Sequence, residues 1–462
     1  MARALNPGTS MSRLDARHVT VIGGGWAGLA AAVRLTQRGH HVSLVEAAPN
    51  LGGRARSVNH RGMALDNGQH ILIGAYERTL QLMRDVGVDP QQVLSRQPLA
   101  LRTPDGLGLA LPLGASSAAL LKGIATARGW PLRARASLLW MAAGWAARRF
   151  RCPASQTVDE LCRGLHPVAY RGLVEPLCAA ALNTEATQAS AQTFLRVLQD
   201  TLDGPPGSAD LLLPRTSLGD LLPEAAGRWL LARGARITLR HPVRQLSATE
   251  AGWTVDGEAT DGVVLACPAP QAARLTATIA PSWSQRAEQL AFEPIATVVL
   301  TTSRPVPLGA PMVMLPDGPA QFAFDLAAFG HASGARCAHT FVVSAAAPWL
   351  ADGNQALAQA VLAQARRHFP GLAADDTLQI VSCIVERQAT FRCTPGLHRP
   401  PLAVAPRMWA AGDHVQGPYP STLEGAVRSG EAAADAAHAA LHPDAGVKHP
   451  SGFRDIKRAS ES

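Results

Sequence analysis

One short segment constrains this 462-residue chain more than any other: residues 18–28, HVTVIGGGWAG. Its apolar start reads as a buried strand that runs into a glycine turn. Residues 29–38 follow as an Ala-rich helix with Gly39 placed to cap it, and residues 42–46, VSLVE, form a second strand. The order strand, glycine turn, helix, strand is a βαβ unit of the expected length. Each glycine has a physical task. Gly23 permits the tight turn, Gly25 lets the backbone approach a pyrophosphate, and Gly28 lets the helix lie close on the sheet, with Trp26 and Ala27 completing the loop. Phosphate charge then sits at a helix N-terminus, where free N–H groups and the helix dipole favour it. Glu46 ends the second strand roughly 20 residues downstream, where a carboxylate holds ribose hydroxyls and repels a 2′-phosphate. The unit is a Rossmann-type dinucleotide site.

Three further glycine turns select FAD over NAD. LGGR at residues 51–54 places Gly52 and Gly53 just past the second strand, with Arg54 positioned to pair with a phosphate oxygen. LDNGQH at residues 65–70 supplies Gly68 and Gln69 in a turn suited to passing close to a flavin ring. Far downstream, residues 408–413 (MWAAGD) read as a strand running into Gly412 and Asp413, and residues 424–441 read as a helix opened by TLEGAVRSG, with Leu423 at its start. Asp413 is a candidate for the ribityl chain, and the helix N-terminus for negative charge on a reduced flavin. An NAD enzyme has no need of this second site.

Composition bounds the rest. The length suggests two or three intertwined domains. A hydrophobic share of 47% against 17% charged excludes a disordered chain. The net charge of +8 suits anionic partners. No aromatic and basic run resembles a nucleic-acid module, which leaves a lipid surface. Seven scattered cysteines without a CxxC pair exclude a zinc ribbon or dithiol motif, give no metal site, and read as reduced thiols of a cytosolic protein. The first residues lack the apolar core of a signal peptide, and no apolar run reaches the roughly 20 residues of a membrane span. Residues 120–150 stand apart: Trp130, Trp140 and Trp145 alternate with Arg128, Arg133, Arg135, Arg148 and Arg149. Trp and Arg around Leu and Met suit an interfacial helix, on the inner face of the cytoplasmic membrane, and equally suit a helix whose Trp side is core. Between these landmarks residues 76–199 read as mainly helical, residues 237–268 and 292–346 as β-rich, and residues 355–369 as a helix with Asn354 as N-cap.

The motifs together resemble the FAD-dependent amine oxidase and phytoene desaturase superfamily. Within it the chain is similar to the squalene-associated FAD-dependent desaturase family, the hydroxysqualene dehydroxylases of bacterial hopanoid synthesis. The residues that carry the likeness are GGGWAGLAAAVRL, LGGRARS, LDNGQHILIGAY, EPLCAAALNT, SADLLLPR, FEPIATV, ERQATFRCTPGL and AGDHVQGPYPSTLEGAVRSG, spread over residues 21–430. His414 after the AGD turn and Phe322, where Trp is expected, depart from the pattern. The resemblance implies an α/β fold: a discontinuous Rossmann-type FAD-binding domain with an inserted α+β substrate domain. The FAD segments would be 18–75, 205–270 and 385–442. A helical part at 76–204 and a β-rich part at 271–384 would form the substrate domain, with 443–462 a disordered tail. Val243 would touch the adenine through its backbone.

The implied reaction is removal of the hydroxyl of hydroxysqualene to give squalene, an isoprenoid lipid, with neighbouring squalene-pathway enzymes as partners. Hydroxide is a poor leaving group, so a proton donor is needed beside a long dry channel. His70 and Tyr419 are the candidate donors, against a structural role for each; Glu386, Asp200, Asp203 and Asp210 read as structural or turn residues. Two alternatives stay open. One is an oxidase running the other way, on a carotenoid-like polyene or an amine; the three tyrosines of the chain count against an amine oxidase. The other is a non-catalytic flavin scaffold that hands lipid between enzymes.

Overall fold

A computed structural model describes residues 16–442, apart from 61–62 and 331–336. The tail from residue 443, expected to be disordered, lies outside the described residues. Strand β1 (His18–Ile22), helix α1 (Trp26–Gln37) and strand β2 (His41–Val45) form the expected unit. β1 pairs in parallel with β2 and with Gly262–Leu265. The full sheet runs Arg236–Thr238, β2, β1, Gly262–Leu265, Met408–Ala410, Ala403–Ala405, so three distant chain segments build one layer. Val19 and Val21 on one face and Thr20 and Ile22 on the other are all buried, as a strand covered on both faces requires.

Small residues bring α1 against the C-terminal helix Leu423–Leu441. Ala30, Ala31 and Ala32 are fully buried, and a Cβ on Gly430 would stand 2.1 Å from the Ala27 carbonyl oxygen. No larger residue fits that crossing.

The other apolar bodies close over this layer. A five-stranded antiparallel sheet runs Met312–Met314, Phe322–Asp325, Ala338–Val343, Phe292–Thr301, Gln379–Phe391, and helix Asn354–His368 packs on it. A helical body formed by Leu132–Ala147, Glu175–Leu182 and Ala191–Leu202 buries Trp130, Leu138, Trp145 and Phe194.

Several expectations shift. Residues 94–110 are not helical: they carry the strands Leu94–Gln97, Ala100–Arg102 and Gly108–Ala110, the last two a hairpin turning through Gly106 at φ 80°. Helix Glu77–Asp85, expected in the substrate part, buries Leu80, Leu82 and Met83 in the core of β1 and α1. Helices Ala269–Thr276 and Pro281–Glu288 likewise pack on Gly262–Leu265. Periodicity identifies an amphipathic helix but not the layer its apolar stripe covers. The boundary at 384/385 falls inside the strand Gln379–Phe391. Asn354 opens its helix as the first residue, with Gly353 at the cap position and no side-chain cap. No helix among the described residues is long and apolar enough to cross a membrane.

Candidate functional site

A continuous cavity of about 970 Å³ runs from the end of β1, past the turns at 67–70 and 412–414, into an apolar chamber. At its polar end Gly23, at φ +113°, turns the chain where a Cβ would meet the Ala266 carbonyl oxygen at 2.5 Å. Gly28 does not face the cavity. A Cβ there would stand 1.9 Å from the Gly23 carbonyl oxygen, so this glycine sets the helix against the turn, as its place in the loop implied. Gly25 bridges to Gly52, so the two glycine loops lie edge to edge and leave Gly25, Gly52 and Gly53 as a floor without side chains. α1 has no side-chain cap and no acidic residue in its first turn, so its leading N–H groups are left for an anion beside Trp26 and Ala27. Glu46 faces the same end; its Oε2 accepts from the Gly24 N–H at 2.6 Å and its Oε1 from the Ala48 N–H at 2.7 Å. A carboxylate keeps lone pairs beyond these two. Val243 is buried beside it, its carbonyl 3.5 Å from Gln271 Nε2. A bare glycine floor, an uncapped helix start and a fixed carboxylate fit the adenosine diphosphate of a dinucleotide.

The middle of the cavity departs from expectation at Arg54. Its guanidinium pairs with Asp413 at 2.5 Å and donates to the Ala389 carbonyl at 2.6 Å. It therefore clasps the first segment to the last, 359 residues away, while still lining the cavity. Burial alone would raise the Asp413 carboxyl, but Arg54 and His414 hold it below its ordinary value. Asp413 and Gly412 face the cavity with Leu423. The C-terminal helix is already capped: Thr422 Oγ1 accepts from the Gly425 N–H at 3.0 Å. Glu424, in its first turn, is buried and accepts from Thr79 N–H and Oγ1 at 2.9 and 2.7 Å and from Arg428 Nε at 2.7 Å. The helix start therefore carries its own carboxylate, which weakens the expected role in stabilising negative charge. His414 is buried with Nε2 unpartnered among the described residues, and burial lowers it to about 4. Asn67 donates to the Arg54 carbonyl at 2.9 Å and to Glu386 at 3.2 Å, which fixes the turn carrying Gly68 and Gln69. Gln69 in turn accepts from Thr340 Oγ1 at 3.2 Å.

The two candidate donors face one cavity but differ in chemistry. His70 Nδ1 lies 3.1 Å from the Gly68 carbonyl, an acceptor only, so Nδ1 carries the ring proton and Nε2 is bare. Burial also lowers the His70 pKa, so the ring is neutral at neutral pH and carries no second proton to give. Tyr419 accepts from Arg196 at 3.0 Å, and Arg196 and Arg428 stand over its ring at 5.1 and 5.4 Å. Burial and Asp200 raise the phenol more than the two guanidiniums lower it, so it is protonated at neutral pH. Asp200 pairs with Arg196 at 2.9 Å and Asp210 with Arg96 at 2.8 Å.

Two site residues had no role assigned from sequence. Asn183 ends its helix at φ 48°; its Nδ2 donates to Thr390 at 2.9 Å and its Oδ1 accepts from the Ala345 N–H at 2.6 Å, so it joins the helical and β bodies at the cavity wall. A polar residue closing the apolar run EPLCAAALNT was the available signal. Arg196, which sets Tyr419, left none.

The apolar chamber draws Leu99 and Leu111 from around the hairpin, Leu138 and Trp145 from Leu132–Ala147, and Phe322 and Phe324 from the antiparallel sheet. On the outer side of the same helix Leu132 and Trp140 are 79% and 84% exposed. Trp130 and Trp145 are core, so the tryptophans divide between the two readings of this segment.

The pattern of flavin-containing amine oxidoreductases matches residues 26–438. A hydroxysqualene dehydroxylase from Sinorhizobium fredii is 28% identical over 91% of this chain and 98% of its own length. A probable zeta-carotene desaturase from Synechococcus elongatus is 27% identical over 90% and 98%. Among solved structures, an oxidoreductase from Methanosarcina mazei superposes with a TM-score of 0.69 at 14% identity, covering 90% of this chain and all of that one. The likeness shows a shared fold.

Proposed function

We propose that this chain, which belongs to the flavin-containing amine oxidoreductase family and is an FAD-dependent oxidoreductase, removes the hydroxyl of hydroxysqualene to give squalene. The observation that carries the reading is the cavity itself. A dinucleotide cradle opens without interruption into an apolar chamber, and a protonated phenol stands in its wall. A long hydrocarbon with a single oxygen needs that combination.

Gly25, Gly52, Gly53, Glu46 and the start of α1 would hold the FAD diphosphate and ribose, and the turns at 67–69 and 412–413 its flavin end. Reduced FAD held there would supply the two electrons as a hydride. The carbon–oxygen bond breaks, a carbon–hydrogen bond forms, and the oxygen leaves as water with one proton from the protein. Tyr419 donates that proton, and Arg196 orients the phenol and stabilises the charge left on it. Arg196 and Arg428 are each about a third exposed, so solvent screens part of their field. Leu132 and Trp140 would rest on the lipid surface from which the substrate enters.

A desaturase of a polyene is the second reading, favoured by the zeta-carotene desaturase relative. Mixing the reduced protein with hydroxysqualene under anaerobic conditions separates the two. Flavin reoxidation with squalene formed is expected; a reduced flavin that stays reduced would sink the proposal. Reduction of the oxidised flavin by a polyene would establish the alternative.

A further inference from the structure

Away from the cavity, three imidazoles converge where the turn between α1 and β2 meets the end of the C-terminal helix. His438 lies in the last turn of that helix, and His442 follows as its C-cap with its backbone N–H on the His438 carbonyl at 3.1 Å, which brings the two rings together. His40 reaches them from a position 398 residues away in the chain. Ring centroids are 5.2 Å apart for His40 and His438, 5.1 Å for His40 and His442, and 5.0 Å for His438 and His442. His40 Nε2 stands 3.0 Å from His438 Nδ1, and one ring nitrogen from each residue falls within 4.8 Å of the other two.

The surroundings favour a ligand set over a chance contact. His40 is 5% exposed, and its Nδ1 lies towards the Arg17 carbonyl without a well-aligned hydrogen bond. A ring whose Nδ1 proton is aimed at a backbone carbonyl presents a bare Nε2, the second-shell arrangement typical of metal-binding histidines. Here Nε2 points into the cluster. His438 and His442 are half-buried, so solvent reaches the outer side. The nearest guanidiniums, Arg34 and Arg38, are both held by Asp435, at 2.9 and 3.0 Å, which offsets their charge.

We propose that His40, His438 and His442 form a three-imidazole site for a divalent late-transition ion such as Zn²⁺, with water in the remaining position. Imidazole nitrogens suit Zn²⁺, Cu²⁺ and Ni²⁺. A tetrahedral zinc with nitrogens at about 2.0–2.1 Å holds them roughly 3.4 Å apart, so one pair is already near that spacing and the third ring needs a modest rotation. The ion would staple the last turn of the C-terminal helix to the α1–β2 turn, which couples its binding to the stability of the sheet layer. The site lies outside the cavity, so FAD content and metal content are separate readouts.

The test uses the untagged, FAD-loaded full chain after chelator treatment. Titration with Co²⁺ should give the visible absorption of a four-coordinate ion, saturating at one ion per chain and displaced by Zn²⁺, and Zn²⁺ should raise the melting temperature. His438→Gln and His40→Gln should each weaken Co²⁺ binding by at least about tenfold at unchanged FAD content. Two results would overturn the site: no such band at saturating Co²⁺, or a band that persists undiminished in both variants.

Discussion

The two ends of the cavity are built on opposite principles. The polar end comes from short, contiguous turns, each just past a strand, whose glycines leave backbone where side chains would otherwise be. The chamber comes from single Leu, Trp and Phe side chains contributed by a hairpin, a helical body and an antiparallel sheet. Cofactor recognition therefore depends on backbone geometry that one residue type supplies, whereas the chamber depends on volume and apolarity that many residues supply. Damage at the first end should be sharp, and at the second graded.

Gly23→Ala should break the polar end most completely. The φ of +113° and a Cβ 2.5 Å from the Ala266 carbonyl leave no relaxed conformation, and strained backbone of this kind costs about 1–3 kcal/mol before any clash. The purified variant should carry less than about a tenth of the FAD per chain, read from flavin absorbance against protein. Retention of full FAD would place the phosphates elsewhere.

Arg54→Met tests the clasp between the ends. It leaves the Asp413 carboxylate buried without its partner, a change that costs about 3–5 kcal/mol. The melting temperature should fall well below that of the parent at neutral pH. Acid adds a second readout. The Asp413 pKa is depressed on folding, so its contribution is full above the ordinary carboxylate value and is lost as pH falls through the lower, folded one. His414 works at higher pH. Its pKa drops from 6.5 to about 4 on folding, so the unfolded chain takes up the proton first and stability falls between those values. The slope from one such group is at most about 1.4 kcal/mol per pH unit, and His414→Gln should flatten denaturant midpoints measured across that window.

Tyr419→Phe should lower the rate of flavin reoxidation by hydroxysqualene by about 10²- to 10³-fold, with the FAD spectrum unchanged. His70→Gln should cost about tenfold or less in the same assay, since its bare Nε2 has no proton to give. The reverse order would return the donor role to His70. In the chamber, Ala142→Trp should reduce turnover of the C30 substrate by about tenfold through lost volume, at full FAD content. Smallest of all, Trp140→Ser on the outer face should leave stability within about 0.5 kcal/mol. Its partition onto anionic vesicles should drop a few-fold in flotation; unchanged partition would remove this face from the lipid reading.

Legibility in the sequence followed the same divide. The turns at 23–28, 51–54, 67–70 and 411–413 were readable because each is a local pattern with a local cause. Arg54 was identified as a site residue but not its partner, since nothing in LGGR points to Asp413. His70 and Tyr419 were both identified, but their order as donors rests on the Gly68 carbonyl and on Arg196. His438 and His442 stand four residues apart and are visible in the sequence, but nothing there points to His40, which joins them from near the start of the chain.

By itself the sequence determined that β1, α1 and β2 form a dinucleotide unit, that further glycine turns complete an FAD site, and that no long apolar span interrupts the chain. Those features depend on residues near one another, where steric limits and periodicity act directly. Tertiary structure alone decided that helix Glu77–Asp85 packs under the cofactor layer, that Arg54 clasps Asp413, and that the cradle opens into one apolar chamber. The physical reason is common to all three. Which apolar face meets which, and which buried charge finds which partner, is settled by packing the whole chain at once.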